Sequence, residues 1–218
     1  MKIGERTTQV LKNFATINPS IQFKEGNVLR TISQNKTLLA KASLADSISS
    51  EFAIYDLPRF LGVVSMFEDP TFELGEKMVR IQSEGRSVRY TYADPSTLVL
   101  PPSKEINVSN FDVEFDLSQE NFNEVMKAIG VMGLPELAIV GEDGKILLRA
   151  CDTKNVNSDK YDIAVGDTDL EFTAVFRTEN LKLMSDNYKV GISSNGLAYF
   201  KSNDIEYWVS IESNSSFN

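Results

Sequence analysis

Histidine is absent from the 218 residues, and cysteine and tryptophan occur once each. Without histidine the usual general base and the commonest metal ligand are both missing. A Ser-His-Asp triad cannot be assembled, and no serine sits in the glycine-flanked turn of a nucleophile elbow. A zinc site would need carboxylates and water alone. The single Cys151 excludes an intramolecular disulfide, fits a reducing cytosol and reads as a half-buried strand residue. No window reaches the roughly 18 apolar residues of a membrane helix, and the first residues, MKIGERTTQ, lack an apolar signal core. The expectation is a soluble, non-membrane chain that stays where it is made, with no catalytic residue, cofactor or bound metal. Only carboxylate-magnesium chemistry remains open to an enzyme of this composition.

What is present is organised around Phe52 to Met66, FAIYDLPRFLGVVSM. A short apolar strand runs into Asp56, a good helix N-cap, and Pro58 suits the first helical turn. Phe60, Leu61, Val64 and Phe67 share one helical face, with Arg59, Gly62 and Met66 roughly opposite. The unit returns at Val113 to Met126 and again at Thr173 to Met184. The junctions Asp56, Asp116 and Arg177 recur about every 60 residues, the mark of a repeated architecture. A fourth copy lacking its leading strand opens the chain, with Val10, Leu11, Phe14 and Ile17 as its apolar face. The pattern predicts an α+β fold of two similar domains, each with two helices packed on antiparallel sheets.

In chain order, residues 5–18 predict the first helix, stopped by Pro19. Ile21 to Ala42 reads as a hairpin, with IQF and VLRTI as strands and Glu25-Gly26-Asn27 as the turn. LLAKASL follows a second turn at Asn35-Lys36. Three strands after the second helix turn at Gly75 and Gly85. Ala93 to Lys104 holds three prolines and no periodic pattern, and it predicts a connector between a first domain of residues 1–93 and a second of 105–218. In the second domain, Ser118 caps the third helix. Glu142-Asp143-Gly144 and Asn195-Gly196 are hairpin turns. Thr178 to Ser185 predicts a short fourth helix, and SNSSFN a frayed tail.

Two stretches imitate chemistry. Gly141 to Lys145, GEDGK, lacks the glycine spacing and the following Ser or Thr of a phosphate loop. Asp152 to Asp162 has calcium-loop composition without the ordered ligands or terminal glutamate. A hairpin turn and a solvated loop are the plainer readings. The net charge of −9 and pI near 4.7 argue against a simple nucleic-acid binder, though not against one with its cations gathered on a single face. Lys12, Arg59, Lys127 and Lys182 place one cation on the solvent side of each predicted helix. Any solvated helix carries a few lysines, and Glu120 and Glu124 share the face with Lys127. Cations so placed would neutralise phosphates without reading bases.

Taken together, TTQVLKNFATIN, AIYDLPRFLGVVS and ADPSTLVLPP closely resemble the DNA polymerase sliding clamps of T-even-like bacteriophages, in the same order along the chain. The C-terminal half matches mainly through its strand–helix layout. The resemblance implies a two-domain clamp fold, closed head to tail as a homotrimer, with the helices lining a hole for duplex DNA and the sheets outside. It makes Lys12, Arg59, Lys127 and Lys182, with Arg6, the DNA-facing set. It places the connector Asp94 to Pro102 beside a pocket where replication proteins insert a short apolar tail, with Leu98, Val99, Leu100 and Pro101 as the wall. The strand Arg86 to Ala93 of one subunit would meet one near Tyr161 to Val165 of the next. The implied partners are duplex DNA of any sequence, the replicative polymerase, an ATP-driven clamp loader and late-transcription factors, in the cytoplasm of the infected bacterium. Two other readings compete: a β-rich virion or tube subunit, which would form open polymers or monomers, and a carboxylate-metal enzyme acting on nucleotides, which would turn over with magnesium.

Overall fold

The computed structural model describes residues 1–104, 106, 110–155 and 157–217. The domain start drawn at residue 105, residue 156 of the 152–162 stretch and the last residue of the tail lie outside the described residues. The chain divides into two compact units, Met1–Glu105 and Ile106–Asn218, each with its own core.

In the first unit, helix α1 (Glu5–Ile17) buries Thr7, Val10, Leu11, Phe14 and Ile17. Strands β1 (Ile21–Phe23), β2 (Gly26–Ile32), β3 (Leu38–Ile48) and β4 (Phe52–Ile54) follow. Helix α2 (Leu57–Val64) then leads into β5 (Thr71–Leu74), β6 (Met78–Ser83) and β7 (Arg86–Thr91). β5, β6 and β7 form an antiparallel meander in that order. Its second turn, Glu84-Gly85, takes positive φ at both residues, as a two-residue hairpin requires. β2 pairs with β3, but the predicted IQF–VLRTI hairpin does not form: β1 pairs with β4 instead. Aromatic stacking accounts for the choice. Phe23 lies on Phe52 at 4.4 Å and Phe52 on Tyr92 at 5.0 Å, a stack that a local hairpin could not make.

α2 starts as predicted. The Asp56 carboxylate accepts the Arg59 N–H at 2.9 Å and Pro58 lies in the first turn. Its buried anchors are Leu57 and Phe60, and Phe60 meets Tyr90 edge-on at 5.2 Å. The helix ends at Val64, before the predicted Met66 and Phe67, and Met66 is exposed.

The second unit begins with β8 (Val113–Leu117) and helix α3 (Gln119–Met132). Ser118 caps α3 by accepting the Asn121 N–H at 3.1 Å, and Gly133 ends it in the left-handed region. Strands β9 (Glu136–Glu142), β10 (Lys145–Cys151), β11 (Tyr161–Asp167), β12 (Phe172–Arg177), β13 (Tyr188–Ser193), β14 (Leu197–Lys201), β15 (Ile205–Ser210) and β16 (Ser216–Phe217) complete it. One antiparallel sheet runs β11-β10-β9-β12-β16, and β8, β13, β14 and β15 pair in that order. Between them Phe122, Tyr188, Phe200, Phe176 and Tyr207 make a chain of edge-to-face contacts, with centroids 6.1–6.5 Å apart.

Two expectations fail here. The fourth helix is absent: only a 3-10 turn, Thr178–Asn180, forms, and Lys182 lies beyond it. The cause is tertiary. Met184 gives its N–H to the Tyr207 hydroxyl at 3.2 Å and its carbonyl accepts from the Tyr188 hydroxyl at 2.5 Å, so both backbone groups are bonded outside any helix. The tail is also held rather than frayed. β16 pairs with β12, Phe217 stacks on Phe172 at 5.8 Å, and the Ser215 hydroxyl accepts the Val175 N–H at 2.9 Å.

Candidate functional site

The predicted cations stand on different footings. Lys12 on α1 and Arg59 on α2 are exposed, and α1 packs against α2, so the two belong to neighbouring helices of one unit. Arg6, earlier on α1, is half-buried. In the second unit Lys127 is exposed on α3, beside the exposed Glu120 and Glu124. Lys182 is exposed but off any helix. The first unit therefore presents exposed cations on two packed helices, with Glu5 opening α1 and Asp56 capping α2, while α3 presents Lys127 beside two glutamates.

The helices are fixed by tyrosines at the ends of the sheets. The Tyr90 hydroxyl on β7 donates to the Asp56 carbonyl at the start of α2, at 3.1 Å. Burial, and then the nearby Asp56 carboxylate, push that hydroxyl above its usual value, so it remains a donor. The Tyr161 hydroxyl on β11 donates to Glu124 of α3, and this bond to the carboxylate likewise raises the phenol. Glu124 is thus occupied in positioning α3. Arg149 on β10 lies between Glu142 at 2.6 Å and Asp162 at 2.8 Å, and these partners keep it firmly protonated.

Of the predicted apolar wall, Leu98, Leu100 and Pro101 are half-buried and Val99 is 40% exposed. A 3-10 turn, Pro95–Thr97, precedes them, capped by the Asp94 carboxylate accepting the Ser96 N–H at 2.9 Å. The residue that holds the wall is Asn18, which the sequence reading treated only as the end of α1. Its side chain is 2% exposed. Its amide donates to the Ile32 carbonyl at 2.8 Å and the Val99 carbonyl at 3.1 Å, and its oxygen accepts from the N–H and hydroxyl of Ser20 at 2.9 and 3.0 Å. Every hydrogen-bonding position of the amide is used. Next to it, the Pro19 carbonyl accepts the Leu57 N–H of α2 at 2.7 Å. The signal was available: Asn18 falls four residues after Phe14 and seven after Leu11, a polar residue on the apolar stripe.

No group of three or more His, Cys, Asp or Glu among the described residues could hold a metal ion. GEDGK is the β9–β10 hairpin, with Asp143 and Gly144 both at positive φ.

Comparison with known proteins agrees with this geometry along the whole chain. The family model described as DNA polymerase processivity factor matches residues 4–100, and that described as gp45 sliding clamp, C terminal, matches residues 114–213. A sliding clamp of Vibrio phage KVP40 is 32% identical over 219 residues, covering 97% of this chain and 99% of the relative. A sliding clamp of Enterobacteria phage T4 is 30% identical over 227 residues, covering 99% of each. Among solved structures, A. fulgidus PCNA bound to the C-terminal region of FEN-1 superposes with a TM-score of 0.74 at 13% identity, covering 99% of this chain and 98% of that one. A Helicobacter pylori beta clamp bound to a DNA ligase peptide gives 0.72 at 15% identity, covering 97% of this chain and 65% of that one.

Removing the Asn18 amide leaves the Ile32 and Val99 carbonyls without their donor. Asn18→Ala is expected to lower unfolding free energy by about 2 kcal/mol, the cost of stranding buried polar groups. Denaturant titration measures this. A loss below about 0.5 kcal/mol would show that the amide is not the anchor of this segment.

Proposed function

This chain belongs to the sliding-clamp family of DNA polymerase processivity factors, and from that premise we propose that three copies close head to tail into a ring around duplex DNA. As a polymerase sliding clamp, it retains the enzyme at the template by topology. Tight contacts are unnecessary for that, and a deep sequence-specific site would stop the ring from moving. The observation that carries the reading onto this chain's own residues is the exposed pair Lys12 and Arg59 on adjacent helices of an otherwise acidic protein. Single cations with long, solvated side chains give salt-sensitive, base-independent attraction to phosphate.

In this reading Lys12 and Arg59, with Arg6 and Lys127, face the DNA. Lys182 keeps only a peripheral part, since no helix carries it. Acidic residues elsewhere repel stray nucleic acid from the outer surface. The stretch 94–104 joins the two clamp domains, and Leu98, Val99, Leu100 and Pro101 form the apolar wall for a short tail of the polymerase or another replication protein. The H. pylori clamp bound to a ligase peptide supports peptide docking as a mode within this fold. Opening the ring falls to an ATP-driven loader, late-transcription factors share the docking surface, and the whole acts in the cytoplasm of the infected bacterial cell.

Native mass measured over a range of concentrations is expected to give a discrete trimer, and a chain that stays monomeric or forms open polymers would overturn the ring. Changing Lys12 and Arg59 together to Glu should leave that trimer intact but cut processive synthesis roughly tenfold at low salt, the difference narrowing as salt rises. Undiminished processivity would remove both residues from the DNA-facing set. Changing Leu98 and Leu100 to Ser should weaken polymerase binding about tenfold, by exchanging two partly buried apolar contacts for polar ones, without dissociating the ring. Polymerase pull-down at the unmodified level would place the docking wall elsewhere.

A further inference from the structure

The outer face of the β2–β3 pair carries an inference that rests on the docking wall proposed above. Arg30 on β2 stands directly across from Lys41 on β3, and both are half-buried. Like charges directly opposite one another disfavour a strand pair, and this chain has 31 carboxylates to set against 22 cations. The Arg30 Nε is buried and lacks a hydrogen-bond partner among the described residues. A guanidinium nitrogen shut off from water without an acceptor is costly. The fold thus keeps at this point a donor that it does not itself use.

The surroundings of that donor are apolar on both sides. By strand alternation Val28, Arg30 and Ile32 lie on one face of β2, with Leu29 and Thr31 on the other. Their partners on β3 are Ser43, Lys41 and Leu39. At one end of this row Ile32 and Leu39 are buried. There the Asn18 amide bonds both the Ile32 carbonyl and the Val99 carbonyl, which puts the Val99 backbone beside the end of β2. At the other end Val28 is 42% exposed. Arg30 is a half-buried cation between the apolar segment and an exposed valine, about 7 Å along the strand from Ile32.

We propose that Arg30 receives the carboxylate of an aspartate or glutamate side chain in the docked partner segment, two positions from that segment's apolar anchor. In an extended peptide, side chains two residues apart point the same way and stand about 7 Å apart, which matches the step from the wall to Arg30. A guanidinium offers Nε and Nη along one edge to both oxygens of a carboxylate, a pairing stronger than a neutral hydrogen bond. One rotamer step turns the Arg30 side chain outward and supplies Nε with its missing acceptor. Lys41 adds positive charge beside the pair. The apolar flanks select a peptide, since a nucleic-acid strand would bring its phosphates against Val28 and the wall. Leu98 to Pro101 supply apolar contact that many sequences satisfy. Arg30 adds the requirement for an acid at one position, so it is the specificity-determining residue of this surface.

The affinity of the cognate replicative polymerase for the assembled protein, measured by biolayer interferometry at several salt concentrations, tests the pairing. Arg30→Met keeps the length of the side chain and removes its charge. It should weaken polymerase binding about tenfold at low salt, with the loss shrinking as salt rises. Its melting temperature should not fall, because the change removes a buried donor that had no partner. Arg30→Lys keeps the charge without the fork and should recover only part of the loss. A polymerase whose acidic residue two positions from the anchor is changed to lysine should bind the Arg30→Glu protein better than the unmodified one. Unchanged affinity in Arg30→Met, alongside weakened binding by Leu98→Ser with Leu100→Ser, would overturn the pairing and leave the wall. Unchanged affinity in both would overturn the wall and the pairing with it. A lowered melting temperature in Arg30→Met would assign the loss to the fold and overturn the proposal. A polymerase lengthened by two residues at its C-terminus that loses affinity for the unmodified protein, but not for Arg30→Met, would trace the carboxylate to the chain end and overturn the side-chain assignment.

Discussion

An end strand with one side of its backbone unpaired is the constraint on which the remaining features depend. Peptide groups on such an edge must be met by water or by another strand, and an edge that accepts any strand is an aggregation hazard. β7 and β11 answer with charge. Arg86 and Arg89 lie on one, and Asp162 and Asp167 on the other. Like charges of this kind disfavour β7 adding to β7 and β11 to β11. In the ring proposed above, that asymmetry would favour head-to-tail closure, which would leave no edge exposed.

Each edge is backed by a rigid attachment. On β11, Asp162 is held by Arg149, which bonds Glu142 as well, so the carboxylate presented at the edge has a fixed direction. On β7, Tyr90 packs edge-on against Phe60 and bonds the backbone at Asp56. Sliding asks the opposite of the helices. In the DNA-facing reading proposed above, helix contacts with phosphate would be weak and quickly exchanged, which suits exposed, singly placed lysine and arginine, and Glu120 beside Lys127 would lessen the attraction of α3.

Local rules made much of this readable. The caps at Asp56 and Ser118 and the two-residue turn at Asp143-Gly144 are set by nearest neighbours and stand where the sequence puts them, while the predicted Asn195-Gly196 turn belongs to a three-residue loop, Ser194 to Gly196, with Gly196 at positive φ. The misreadings share a cause in distant partners. Thr178 to Ser185 has helical periodicity, yet two tyrosine hydroxyls take the Met184 backbone out of helical bonding. β1 leaves the neighbouring strand for β4 because Phe23 finds Phe52 and Tyr92 there. SNSSFN has a tail's composition, but Phe217 finds Phe172. Of the site residues, exposure of Lys12 and Arg59 followed from helical phase alone. The parts played by Tyr90 and Tyr161 did not, because a tyrosine on an alternating strand looks the same whether its hydroxyl meets water or a helix.

Asn18 is a demanding site built from hydrogen bonds alone. One buried amide joins the end of α1, the end of β2 and the backbone at Val99, and the adjoining Pro19 carbonyl holds the first residue of α2. Both helices of the first unit and the apolar segment are therefore fixed from two consecutive residues. An apolar side chain at position 18 would bury more readily but could satisfy none of these carbonyls. Aspartate would present two acceptors to groups that are themselves acceptors and would bring an unpaired charge into the core. Asparagine is the side chain of this size that donates twice while accepting from Ser20, so the requirement at this position is set by hydrogen-bond count and not by volume. The precision that an enzyme concentrates around reacting atoms is used here to hold surfaces in place.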